Sequence, residues 1–74
     1  MTASQNIYQA KVAPEVISDA IGAGKRARQS GNREDALRYF TLAIEAAPAL
    51  SEPKLEAATE MRALGRFEEA EALA

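Results

Sequence analysis

Seventy-four residues without a cysteine or a histidine hold at most one small domain, and the two missing residue types exclude thiol chemistry, zinc-finger ligation and imidazole catalysis. Nine basic and eleven acidic side chains leave a formal charge of −2, so the chain as a whole offers no attraction to nucleic acid or to an acidic membrane. The apolar fraction of 47% rules against wholesale disorder, although much of it is alanine, which favours helix and buries little area.

Residues 1–13 are polar and end at Ala13-Pro14. Ser4 reads as the cap of a short helix bearing Ile7, Tyr8 and Val12, and the same segment reads equally as a mobile tail. No apolar run approaches the ~20 residues of a membrane span, and the N-terminus lacks a signal-peptide core. A soluble, cytoplasmic chain is expected. Pro14 suits a first helical turn, because its fixed φ fits there and its missing N–H would be unpaired anyway. From Val16 to Ser30 the apolar positions are Val16, Ile17, Ala20, Ile21, Ala23 and Ala27, with Gly24 on the same side. That spacing predicts a helix with a narrow face of small residues. Gly22 and Gly24 each cost about 1 kcal/mol of helix propensity, as if the backbone needed close approach there. Gly31 ends the helix, since glycine takes the left-handed cap conformation cheaply.

Asn32 reads as the cap of a second helix, with Asp35 completing an imperfect capping box. Ala36, Leu37, Phe40, Ala43, Ile44 and Ala47 then share one broad face, with Tyr39 and Leu42 beside it, until Pro48 stops the helix. Ser51 is expected to cap a third helix carrying Leu55, Ala58, Met61 and Leu64. Gly65 ends that one, and Phe67, Ala70, Leu73 and Ala74 begin a fourth. The expected spans are roughly 15–30, 33–47, 52–64 and 66–74. The fold class is all-α, with short connections that force antiparallel neighbours.

Offsetting the chain by 34 residues pairs Pro14 with Pro48, Gly31 with Gly65, Glu34 with Glu68, Asp35 with Glu69 and Ala36 with Ala70. With only four glycines and three prolines in the chain, those matches are informative, and they fall where helices must stop. Helix–turn–helix units at this period, with Ala36 and Phe40 spaced as A-x3-F and Pro48 following, resemble the tetratricopeptide repeat family. The resemblance implies an α-solenoid fragment over residues 14–74, with one repeat over about 17–50 and an incomplete second over 51–74. Residues 1–13 stand outside it. The family's bulky first-helix residues are replaced by Ala20 and Ala23, then by Lys54 and Ala57. Its tyrosine becomes Ala27 and Met61, its glycine survives as Gly24 but not at Ala58, and its aromatic residue is present as Phe67 but is Arg33 in the first repeat.

The resemblance also implies a groove lined by the first helix of each pair. Ile21, Lys25, Arg28 and Gln29 would contribute from the first repeat, and Leu55, Thr59 and Arg62 from the second. Lys25, Arg28 and Arg62 would then hold an acidic peptide or a terminal carboxylate, because guanidinium forks pair carboxylates in bidentate fashion. The plainer reading, a solvated charged face, weighs more. The family's lysine–asparagine clamp for chaperone tails has Ile21 and Lys25 in its place and is not supported. Lys25, Arg26 and Arg28 lack the interleaved aromatic residues of a nucleic-acid surface, and no nucleic-acid partner is expected. Glu34-Asp35 and Glu68-Glu69 sit at helix starts, where the dipole accounts for them, so no catalytic, metal or cofactor site is expected. The expected function is a protein-interaction module for scaffolding or self-assembly, the alternative being a targeting or docking domain cut from a larger multidomain enzyme. An unfinished second repeat is expected to expose an apolar edge at Leu42, Ile44, Phe67, Ala70 and Leu73, and to pair with a second copy as a two-fold dimer.

Overall fold

The computed structural model describes residues 13–73; the expectations for Ser4, Ile7, Tyr8, Val12 and Ala74 lie outside the described residues. Four helices follow one another, α1 (Pro14–Gln29), α2 (Arg33–Ala46), α3 (Ser51–Ala63) and α4 (Phe67–Leu73). Each packs on the next in sequence order, as antiparallel hairpins, and there is no strand among the described residues. Every helix boundary lies within two residues of the span its punctuation predicts.

The turns explain why the arrangement repeats. At the end of α1 the Gly31 N–H donates to the Arg28 carbonyl at 2.9 Å and the Asn32 N–H to the Ala27 carbonyl at 2.8 Å. At the end of α3 the Gly65 N–H donates to the Arg62 carbonyl at 3.1 Å and the Arg66 N–H to the Met61 carbonyl at 2.7 Å. Both are Schellman closures, and both need a residue in the left-handed region: Gly31 has φ 79° and Gly65 has φ 80°. The same bond restarts the chain on the far side, from the Ala36 N–H to Asn32 and from the Ala70 N–H to Arg66. The 34-residue period is therefore a repetition of backbone hydrogen bonds as well as of residue types.

The helix starts differ from expectation. The Asn32 side chain makes no capping bond to the backbone of the first turn; its amide instead donates to the Asp35 carboxylate at 2.8 Å, side chain to side chain. Ser51 is the first helical residue of α3 and not its cap, a place taken by Leu50 in extended conformation. Neither start carries the capping bond that would have contributed about 1 kcal/mol. Tertiary packing holds these helices instead, as the buried Pro53 in the first turn of α3 illustrates.

Phe40 is the centre of the core, fully buried with Ala36, Leu37 and Ala43 of α2, Ile21 of α1 and Ala57 of α3. Burial of such a ring is worth about 1.5–3 kcal/mol. It fits only because Gly24 has no side chain: a Cβ there would stand 2.5 Å from the Phe40 ring. Gly22, one half-turn earlier, would meet nothing nearer than the end of the Arg26 side chain at 3.4 Å. The two glycines thus divide, and only Gly24 is required by packing.

Candidate functional site

Charged side chains of α1, and one from the start of α2, meet those of α3 along one seam. Glu52, Glu56 and Glu60 recur every four residues on α3, so they form a stripe along the helix. Lys25 Nζ donates to Glu52 Oε2 at 3.0 Å. Arg28 donates through Nη2 to Glu56 and through Nε to Glu60, and Arg33 Nη1 donates to the second oxygen of Glu60 at 2.9 Å. Glu60 is fully buried, yet each of its carboxylate oxygens accepts an arginine hydrogen bond. Such double satisfaction is what lets a charge lie inside a protein. Above this cluster the Arg28 guanidinium lies 5.3 Å from the centre of the Phe40 ring, close enough for a cation–π contact. The hydrogen bond to Glu56 raises the Arg28 pKa above its ordinary value, with Glu60 adding to it and partial burial opposing both.

The opposite face of α3 is different. Ser51, Lys54, Leu55, Ala58 and Arg62, with Leu73 from α4, line an open groove of about 360 Å³. Leu55 is 63% exposed, and neither Lys54 nor Arg62 forms an ion pair among the described residues. This face therefore offers apolar surface with two cations at its rim.

The residues expected to line a single peptide groove are divided between these faces. Ile21 is 9% exposed and belongs to the core. Lys25 and Arg28 are engaged within the chain, Lys25 with Glu52 and Arg28 with Glu56 and Glu60, while keeping 45% and 28% of their side-chain surface exposed. Gln29 is exposed at the end of α1. The Thr59 hydroxyl donates to its own helix, at the Leu55 carbonyl, 3.0 Å away. Only Leu55 and Arg62 come together in the open groove. Lys54 and Leu73 complete it there, and periodicity on α3 alone marks Lys54 but cannot bring Leu73 from another helix.

The expected self-association edge also divides. Leu42 and Phe67 are exposed, at 51% and 62%. Ala70 is fully buried and cannot belong to an exposed edge, because a residue this small lies flat against the neighbouring helix. Ile44 and Leu73 are half-buried and pack against the core. Near the start of α4, Arg66 donates to both oxygens of Glu69, at 3.2 and 2.7 Å, and lies 3.9 Å from Glu34 of α2. The pairing raises the Arg66 pKa and lowers that of Glu69, in each case mainly through the hydrogen bond between them.

Among the described residues no group of three or more acidic side chains is placed to hold a metal ion, and no helix is long and apolar enough to cross a membrane. No family model matches the chain, and neither does any curated protein or solved structure compared with it.

Proposed function

We propose that the chain is a protein-interaction module of tetratricopeptide type, which works in the cytoplasm by holding a helix or peptide of a partner against α3 and α4. The observation that carries this reading is the repeated turn: residues 26–36 and 60–70 make the same backbone hydrogen bonds, so each hairpin is a copy of one unit. Units of this kind bury their edges by stacking, and the edge of the first is covered by α3. The corresponding edge of the second is the open groove at Leu55, Arg62 and Leu73. A photo-crosslinking residue at position 55, in cells of the protein's own source, is expected to trap a discrete protein. The same residue at Val16, which is 55% exposed on α1, is expected to trap none. Equal yields at both positions would reject the module reading.

A second reading, self-association as a two-fold dimer, is favoured by the exposure of Leu42 and Phe67. Light scattering at micromolar concentration tests it, with Phe67→Glu as the control because Phe67 contributes nothing to the buried core. A monomer mass for the wild type ends this reading.

A further inference from the structure

Within the first hairpin the structure records how its edge is recognised. The helix that lands there is α3, and its signature is a carboxylate pair one turn apart, Glu56 and Glu60, gripped by Arg28. Moving along the chain by the 34-residue period replaces Ile21 by Leu55, Gly24 by Ala58 and Arg28 by Arg62, so the groove of the second hairpin keeps the arginine that reads the pair. Two of the charged positions are lost. Lys25 becomes Thr59, whose hydroxyl is spent on its own helix, and Arg33 becomes Phe67, which is 62% exposed.

We propose that the groove between α3 and α4 takes an acidic amphipathic helix from a protein partner, held by Arg62 through two carboxylates spaced four residues apart. This proposal rests on the module reading and adds the partner's chemistry to it. Arg62 takes the pair as Arg28 takes Glu56 and Glu60, because an arginine has donors enough for two carboxylates on successive turns. Lys54 at the rim adds to the attraction for an acidic partner. Phe67 presents an exposed apolar ring where Arg33 gives Glu60 its second donor, so Arg62 is the one donor to the corresponding carboxylate and the partner meets an apolar neighbour beside it. The absent counterpart of Lys25 removes any need for a third carboxylate. A second copy stacked head to tail does not qualify. In α1 the positions equivalent to Glu56 and Glu60 are Gly22 and Arg26, so stacking would bring Arg26 against Arg62, like charge on like.

The test uses the full chain, labelled with nitrogen-15, and a capped synthetic peptide of the α3 sequence SEPKLEAATEMRAL, which carries the natural carboxylate pair. Its control has glutamine at both pair positions. Titration is expected to shift the amide signals of Leu55, Ala58, Arg62 and Leu73. Loss of the pair, or Arg62→Glu in the protein, should weaken binding by roughly tenfold or more, whereas Arg62→Lys should keep part of it. Raising the salt concentration should weaken it too, because these contacts are open to solvent. Equal affinity for both peptides, or binding indifferent to Arg62→Glu, overturns the carboxylate-pair assignment and leaves the module reading intact. Shifts confined to α1 and α2 would mean that the peptide displaces α3 instead, and would also overturn it. If neither peptide shifts the groove signals, docking at this groove is wrong, and the crosslinking at position 55 then decides the module reading separately.

Discussion

The two hairpins share a turn geometry to within a few tenths of an ångström in their hydrogen bonds, yet they differ in what became of their arginines. Arg28 lies over the Phe40 ring, half withdrawn from water and bonded to two glutamates. Arg62, 34 residues later, stands exposed at the rim of a groove with no ion pair among the described residues. Identical backbone and identical side chain have produced one structural cation and one available cation. The difference arises from the neighbour: α3 supplies the carboxylates that close the first site, and no described helix does so for the second. A charge on a repeat protein is therefore assigned by what stacks beside it and not by its place in the repeat.

The strongest way to break the comparison is to remove the core on which the closed site is built. Phe40→Ala is expected to cost about 3–5 kcal/mol, which exhausts most of the stability available to so small a domain. Far-ultraviolet circular dichroism should then show a largely unfolded chain at 25 °C. A variant melting within a few degrees of the wild type would contradict the central place given to Phe40.

A sharper comparison sets the two arginines against each other. Arg28→Ala leaves an oxygen of the buried Glu60 without its donor and removes the cation from the Phe40 ring. Since Arg28 keeps 28% of its side-chain surface in water, the cost expected is about 2–3 kcal/mol, below that of a fully buried pair. Arg62→Ala should alter stability by no more than about 0.5 kcal/mol, as for an ordinary surface position. Urea unfolding of both variants decides it, and equal losses would mean that Arg62 is also structural.

The glycines of α1 make a finer contrast of the same kind. Gly24→Ala drives a methyl group into the Phe40 ring, and the repacking should cost about 1–3 kcal/mol, offset in part by the gain in helix propensity. Gly22→Ala meets only the tip of a flexible arginine and should stabilise the helix by up to about 1 kcal/mol. Thermal melts of opposite sign are expected; two melts shifted the same way would show that Gly24 is not held by close packing.

The smallest expected effect is a titration. Arg66 holds the Glu69 carboxylate below its ordinary pKa. A group depressed in this way stabilises the folded state above the unfolded carboxylate pKa, and that contribution fades as the pH falls through the lowered folded value. Arg28 has the opposite sign: its raised pKa gives a contribution complete below the ordinary arginine value and lost only above it. A carbon-13 titration of the glutamate carboxyls should therefore find Glu69 with a low midpoint that Arg66→Ala moves up. No change in the Arg66→Ala variant would mean the pair does not persist in solution.

The punctuation of the chain was enough for its secondary structure and its period. Pro14 and Pro48 act through a fixed φ, and Gly31 and Gly65 through their freedom to take a positive one; both are local properties that hold in any surroundings, so the helix ends and the repeated turns could be read from them. The face of α2 bearing Ala36, Phe40 and Ala43 was equally plain, because helical spacing alone brings those residues together. The caps are less legible: the Asn32 side chain bonds to Asp35 instead of the backbone, and Ser51 falls one residue inside the helix it is expected to cap. The candidate site was legible only in part. Arg28 reaches carboxylates 28 and 32 residues away, Ala70 is covered by another helix, and Leu73 joins Leu55 only across the α3–α4 pairing. The amino-acid sequence determines that this chain forms two similar helical hairpins with a cationic residue at the same place in each. Which cation is closed inside and which stays exposed without an ion pair among the described residues was decided by tertiary structure, because an ion pair depends on the distance between helices, and no pattern along a single helix contains that distance.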